Sequence, residues 1–342
     1  SNISEWNVSM LEDMSSIFKD RNTFNGDVSQ WNTGRARTMR LAFKGAQAFN
    51  GDVSKWDVSS VTDMQELFSS AQVFNGDVSK WDVGLVTSMH STFKNAHKFN
   101  GDVSKWDVSS VTDMQELFYE ARTFNGDVSE WDVSSVTTIE GTFQWSAMNS
   151  NISGWNVSGV RRASSAFRGA YEFNGDLNTW DTARMVAMNS MFNEATSFNR
   201  DLNAWNTAAV YTMDAMFEGS AFNGNIECWN VQNVRDLYTF AESSSFNQSV
   251  ACWDVQPEAV QHGFTFTNTP LDDTSPPCWA DRTRANCIDC TSPPTCGSFS
   301  SPSPAPSPPP APSPSPKRNT NDRSKGNSHK HHDAHLVLYI VG

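Results

Sequence analysis

Tryptophan recurs at a nearly fixed interval through most of the chain, and such a period leaves few architectures open. The spacing is 24 or 25 residues over eleven copies, and each tryptophan is followed by Asp or Asn. A fixed period of this size is typical of repeat proteins whose successive copies stack. The eleven residues are Trp6, Trp31, Trp56, Trp81, Trp106, Trp131, Trp155, Trp180, Trp205, Trp229 and Trp253.

One copy contains a strand-like pattern followed by a helix-like pattern. Residues 53–58 read V-x-x-W-x-V, which reproduces the apolar spacing of a leucine-rich repeat and predicts a short strand. Apolar residues then follow at i, i+3, i+4 and i+7, which predicts a short helix with Thr62 as its N-cap. These helix residues are Met64, Leu67, Phe68 and Ala71. The sequence Phe-Asn-Gly-Asp at 74–77 predicts the return turn to the next copy.

The repeats predict one elongated domain over residues 1–266. No single copy can bury its own Trp and Phe, whereas stacked copies cover one another. We therefore predict an α/β repeat: a leucine-rich-repeat-like right-handed solenoid with a parallel sheet on one side and short helices on the other, followed by a disordered Pro-rich tail.

The repeats resemble the BspA-like class of leucine-rich-repeat surface proteins. Residues 49–71 and 99–121 fit the pattern F-N-x-D-[VL]-S-x-W-D-V-S-x-V-T-x-M-x-x-[MF]-F-x-x-A nearly position by position. The resemblance implies an extracellular or cell-surface protein that acts through binding or adhesion and not through catalysis. It implies no particular ligand residues.

The residue after each tryptophan forms a polar column that we expect to face outward from the sheet. Four consecutive members are carboxylates, and clustered carboxylates suit hard cations, so calcium is the one candidate cofactor. In the other interpretation, three lysines beside the tryptophans neutralise the column and the face is merely soluble. The carboxylates are Asp57, Asp82, Asp107 and Asp132, and the lysines are Lys55, Lys80 and Lys105. We take these seven residues as the candidate ligand-binding face.

A second polar column and one irregular copy carry further expectations. Asparagine follows phenylalanine in the return turns, and we expect it to satisfy backbone groups of neighbouring turns. The copy around Met148 departs from the pattern and adds Trp145, and basic residues follow it at Arg161, Arg162 and Arg168. This irregularity indicates a bend or a binding patch, or else drift under weak constraint. The asparagines are Asn25, Asn50, Asn75, Asn100, Asn125, Asn174, Asn199, Asn223 and Asn247.

Six cysteines are confined to the C-terminal part of the chain. Their even number predicts three disulfides in an oxidising compartment, some of them in a cap at 267–299. Zinc binding at 287–290 is the alternative, but no histidine lies in the cluster. The candidates are Cys228, Cys252, Cys278, Cys287, Cys290 and Cys296.

The segments after residue 299 differ sharply in composition from the repeats. Residues 300–316 are a Ser/Pro tract, which predicts an extended stalk. Residues 317–342 are basic and polar and end in the apolar run LVLYIV, which is too short to span a bilayer but fits the start of a membrane anchor beyond this sequence.

Charge and motifs exclude two classes of function. The formal net charge of −13 makes nucleic acid an unlikely partner. No nucleophile motif, phosphate-binding loop or metalloprotease motif occurs, so we expect no enzyme activity. The sequence thus predicts an extracellular or cell-surface recognition module that binds a protein or a glycan through the sheet face. The alternative is a structural or calcium-binding surface-coat protein without a specific macromolecular partner.

Overall fold

The computed structural model describes residues 2–255, 263, 265–271 and 277. Only 267–271 and 277 of the expected cap fall within this part of the chain. The expected stalk at 300–316 and tail at 317–342 lie outside it, as does the apolar run at its end.

Successive copies stack in register, one turn of chain above the next. Parallel bridges join the same position of neighbouring copies, from Asp13 to Thr38 and onward, copy by copy, to Asp236. The indole rings of Trp81 and Trp106 lie 6.4 Å apart with planes 1° from parallel. Tryptophan, phenylalanine and the aliphatic residues of all copies form one buried cluster. The core is therefore continuous along the stack.

The predicted strands and helices are wrong. Within the described ranges, the helical residues are a 3-10 helix at Ile3–Glu5 and the pair Pro270 and Leu271. Parallel pairing between repeats is limited to isolated bridges, one residue for each copy from Asp13 to Asp236. The copies consist of turns and extended coil, so the protein is not an α/β leucine-rich-repeat-like solenoid with a sheet and helices. No helix in the described part has the length and hydrophobicity needed to cross a membrane.

The helix fails because two residues in each copy adopt left-handed backbone conformations. The φ angle is 53° at Glu66 and 60° at Ser70, within the segment predicted to be helical. Their N–H groups donate outward to the next copy, at 2.8 Å to the His90 carbonyl and 2.6 Å to the Lys94 carbonyl. Turn bonds from residue i to i−3 alternate with these lateral bonds. The predicted apolar residues are nevertheless all buried: Met64, Leu67, Phe68 and Ala71.

The strand fails because the tryptophan uses the hydrogen bonds that a sheet would need. The backbone N–H of Trp56 bonds within its own copy, at 3.1 Å to the Val53 carbonyl. Its indole Nε1 instead reaches the preceding copy and donates at 3.1 Å to the buried Val28 carbonyl. This bond recurs in ten copies at 2.7 to 3.2 Å, from Trp31 to Trp253. The indole ladder replaces a backbone ladder at this position.

The asparagine column serves the role expected from the sequence. Each side-chain oxygen accepts a hydrogen bond from the backbone N–H of the next asparagine in the stack, at 2.8 to 3.2 Å. Asn149 continues the column through the irregular copy. The expectation that these side chains satisfy neighbouring turns is confirmed.

Candidate functional site

The predicted acidic column is exposed, as expected, but its oxygens bond within their own turns. Asp57 Oδ1 accepts from the Ser59 N–H at 3.1 Å and from the Ser59 hydroxyl at 2.6 Å. Asp107 and Ser109 repeat this geometry. In the other two copies, Asp82 and Asp132 each accept a hydrogen bond from the backbone N–H two residues later. The hydroxyl and then the N–H of these serines hold the pKa of Asp57 and Asp107 below the ordinary value. The lowered pKa favours the ionised form of Asp57 and Asp107, and all four carboxylates brace their own turns.

A second carboxylate column, which we did not single out from the sequence, lies at the return turns. Hydrogen bonds from the serine two residues later lower the pKa of each member, while burial opposes this shift. Neighbouring carboxylates of the column repel one another. The charge of Asp52 raises the pKa of Asp77, and the charge of Asp77 raises the pKa of Asp102, so both oppose the lowering by the serines. The members are Asp27, Asp52, Asp77, Asp102 and Asp127. The repeated G-D-V-S motif was the available signal.

The predicted lysines lie beside this second column. The charge of Lys55 helps to lower the pKa of Asp52, and Lys80 and Lys105 act in the same way on the next two carboxylates. No lysine appears among the causes of the shift at Asp57. In the described part of the chain, no group of three or more His, Cys, Asp or Glu side chains is placed to hold a metal ion. The calcium strip stays a prediction.

The irregular copy contributes to a concave site. The interval from Trp131 to Trp155 is 24 residues, one fewer than in the copies on either side. The missing residue shortens the turn at 145–148, between the longer turns at 120–124 and 169–173. The result is a cleft of about 630 Å³, the aromatic notch. Its lining residues are Glu120, Arg122, Trp145, Ser146, Ala147, Tyr171 and Glu172.

A serine closes the shortened turn. Ser146 donates its hydroxyl at 2.8 Å to the Phe143 carbonyl and accepts the Met148 N–H at 3.3 Å. Ser220 and Ser244 do the same in the two other copies with a 24-residue interval. Those two copies follow one another, whereas the copy with Ser146 has a longer neighbour on each side. The turn is thus a built element, and its position between longer turns creates the notch.

Two aromatic side chains form the wall of the notch. The rings of Trp145 and Tyr171 lie 5.5 Å apart and meet at 54°, and Tyr171 is 49% exposed. Trp145 adopts a φ of 58° and its indole occupies the space above Gly169. A Cβ at Gly169 would lie 2.1 Å from the indole Cε3, so glycine is required there. The aromatic wall depends on both unusual backbone positions.

The charged groups around the notch are nearly balanced. Glu120 bonds to the Arg122 guanidinium at 2.8 Å and lies 3.6 Å from the His97 ring. The Arg168 guanidinium lies 5.9 Å from the centre of the Trp145 ring, within the range of cation–π attraction. The Nε of this arginine is buried without a hydrogen-bond partner, one of two such side-chain atoms in the described residues. A donor therefore stays unsatisfied beside the aromatic wall.

Comparison with known proteins places the repeats in one family. Residues 1–104, 50–148, 74–178 and 143–253 match the family described as "Mycoplasma protein of unknown function, DUF285". The four matches together span residues 1–253 of the 342. The chain belongs to this family. No curated protein matches it.

In this DUF285 protein, the notch combines an aromatic wall with donors and acceptors for hydrogen bonds. Such a combination is typical of sites that bind small molecules, in which a few polar groups orient a ligand on an apolar surface. Sequence reasoning singled out Trp145 and Arg168 but missed Glu120, Tyr171 and Glu172. The 24-residue interval was the signal that could have located them.

Proposed function

We propose that this DUF285 protein is a non-catalytic recognition or adhesion module that acts outside the cell or at its surface. The observation that carries the proposal is the aromatic notch. A stack of similar copies repeats the same side chains, and the notch is a local departure from this repetition that presents Trp and Tyr, residue types that often dominate the binding energy of an interface. Tyr171 is among the large hydrophobic residues that stay exposed in the described part of the chain. The partner is a protein or a glycan.

The surface proposed for recognition differs from the one expected from sequence, since no sheet forms. The Asp57 and Asp107 carboxylates are each committed to a serine in their own turn. The notch instead offers the exposed ring of Tyr171 beside the Trp145 indole. We therefore place the main contact at the notch and treat the acidic column as a second surface to be tested.

The extracellular setting rests on the cysteines and on the resemblance to BspA-like surface proteins. Neither Cys228 nor Cys252 is a free thiol, which supports an oxidising compartment. The pairing of the six cysteines stays a prediction, and Cys278, Cys287, Cys290 and Cys296 lie outside the described residues. A thiol titration of the denatured chain, with and without reductant, measures how many of the six are oxidised.

The test is binding of the full chain to an array of extracellular matrix proteins and glycans, with calcium and with chelator. We expect binding that survives chelation and falls at least about tenfold in Tyr171→Ala. Tyr211→Ala is the matched control, because Tyr211 is similarly exposed at 52% and lies outside the notch. Equal binding by the two variants would reject the notch as the contact surface, and no binding to any member of the array would reject the proposal.

A melting measurement, combined with the array, tests the coat-protein alternative. A variant with all four carboxylates of the predicted strip changed to asparagine keeps the hydrogen-bonding turns, because asparagine occupies the same position in Asn7, Asn32 and Asn156. A calcium-induced rise in melting temperature that this variant loses, together with an array without hits, would support the coat reading over recognition.

A further inference from the structure

We infer that the aromatic notch binds a ring of an uncharged saccharide. The inference rests on the proposed function and specifies its ligand class. It follows from the shape of the aromatic wall, the polar groups beside it and the balance of charge. The wall suits a ring with an apolar face, the polar groups disfavour an apolar ligand, and the charge balance disfavours an ionic ligand.

The aromatic wall suits a flat ligand with an apolar face. Trp145 and Tyr171 meet at 54° with ring centres 5.5 Å apart, so together they form a corner and not a flat patch. A pyranose ring presents a face of C–H groups that packs on an aromatic ring and carries its hydroxyls at the edge. The cleft of about 630 Å³ lies within the range of roughly 300–1,000 Å³ that holds small ligands. One ring can enter the corner while a neighbouring ring extends out of it.

The polar groups beside the wall both donate and accept hydrogen bonds. Arg122 and Arg168 supply N–H donors, and Glu120 and Glu172 supply carboxylate acceptors. A hydroxyl group donates and accepts at the same time, so it can bridge groups of the two kinds. A ligand rich in hydroxyls matches this mixture better than an apolar ligand does.

The charge balance excludes strongly ionic ligands. Two carboxylates and two guanidinium groups surround the wall, and Glu120 is already paired with Arg122 at 2.8 Å. The chain as a whole carries a formal net charge of −13, which repels sulfated and other acidic saccharides at long range. A cation would meet Arg168 over the Trp145 ring. An uncharged saccharide avoids both penalties.

The experiment uses the full chain and saturation-transfer NMR with the methyl glycosides of glucose, galactose, mannose and N-acetylglucosamine. A sulfated galactoside and methylated lysine serve as charged probes. We expect transfer to at least one neutral glycoside, strongest at the C–H protons that face the rings. Transfer should fall at least about tenfold in Tyr171→Ala and in Trp145→Asn and stay unchanged in Tyr211→Ala. Asparagine is chosen because Asn95 occupies the equivalent left-handed position in another copy.

The outcomes separate the ligand class from the proposed function. Binding of a protein on the array that depends on Tyr171, without transfer to any neutral glycoside, would overturn the saccharide inference and leave the recognition function standing. Stronger transfer to the sulfated galactoside or to methylated lysine would overturn the charge argument. Neutral glycoside binding that persists in both notch variants would place the site elsewhere and overturn the inference.

Discussion

The indole ladder should be a main source of stability, and Trp106 tests this directly. Its Nε1 donates at 3.0 Å to the Val78 carbonyl, and the ring is 3% exposed. Trp106→Phe removes one of the two donors to that buried carbonyl, which keeps the bond from the Trp81 backbone N–H at 3.1 Å, so the loss is about 0.5–1.5 kcal/mol. The smaller ring also loses contact with Trp81 and Trp131, whose centres lie 6.4 Å and 6.5 Å away, at a cost of about 1 kcal/mol. We expect the free energy of unfolding to fall by about 1.5–2.5 kcal/mol in total.

The assay is equilibrium unfolding of the full chain in guanidinium chloride, followed by near-UV circular dichroism. Benzothienylalanine at position 106 keeps the ring size and replaces N–H by sulfur, so it isolates the hydrogen bond and should cost about 0.5–1.5 kcal/mol. Trp145→Phe makes the same exchange in an indole outside the ladder and should cost less than about 1 kcal/mol.

Two results would refute this reasoning. A loss below about 0.5 kcal/mol for the benzothienyl variant would show that the indole N–H does not support the carbonyl. An equal loss for Trp145→Phe and Trp106→Phe would show that ring size alone, and not the ladder, sets the cost.

Three further predictions follow from the backbone and the carboxylates. Gly169→Ala should lower stability by about 1–3 kcal/mol, because φ is 61° and the added methyl would lie 2.1 Å from the notch indole. Glu194→Gly should raise stability by about 0.5–1 kcal/mol, because this exposed residue has a φ of 57°. The pKa of Asp57 and Asp107 is lowered in the folded state, so their contribution is present above the ordinary value of 3.8 and is lost as pH falls below it. Changing both to asparagine should lower the melting temperature slightly at neutral pH, because the charge-assisted bonds become neutral ones, and should reduce its fall between about pH 5 and about pH 3.

Each of these predictions has a matched control. Gly154→Ala adds a methyl that meets no atom within 4 Å, so a loss as large as that of Gly169→Ala would contradict the steric argument. Glu130→Gly removes an exposed glutamate outside the left-handed positions and should destabilise by about 0.5–1 kcal/mol. If Glu130→Gly raised stability as much as Glu194→Gly does, the gain at Glu194 could not be attributed to its left-handed backbone. An acid transition that is identical in wild type and the double asparagine variant would show that these two carboxylates do not contribute.

The outcome for residues 64–71 shows how a pattern can predict burial without predicting the backbone. Met64, Leu67, Phe68 and Ala71 face the core as expected. A helix and a chain of turns with a left-handed residue at every fourth position both place apolar residues three and four apart. Glycine would have signalled the left-handed positions, but among the described residues it occupies them only at Gly45, Gly141, Gly169 and Gly219. Most of the other left-handed positions carry residues such as Ser, Glu, Leu or Ala, which favour right-handed conformations on their own.

The amino-acid sequence by itself determined the period, the stacking of the copies, the buried side of each copy and the asparagine ladder. These depend on apolar spacing and on repetition, which are local and visible in one dimension. Only the tertiary structure decided how each copy satisfies its backbone. The choice between a strand, a helix and laterally bonded turns depends on hydrogen bonds to the copy about 25 residues away, including those of the indoles. The notch was decided there too, because the shortened turn lines a cleft together with residues of the longer turns that lie on both sides of it in the stack.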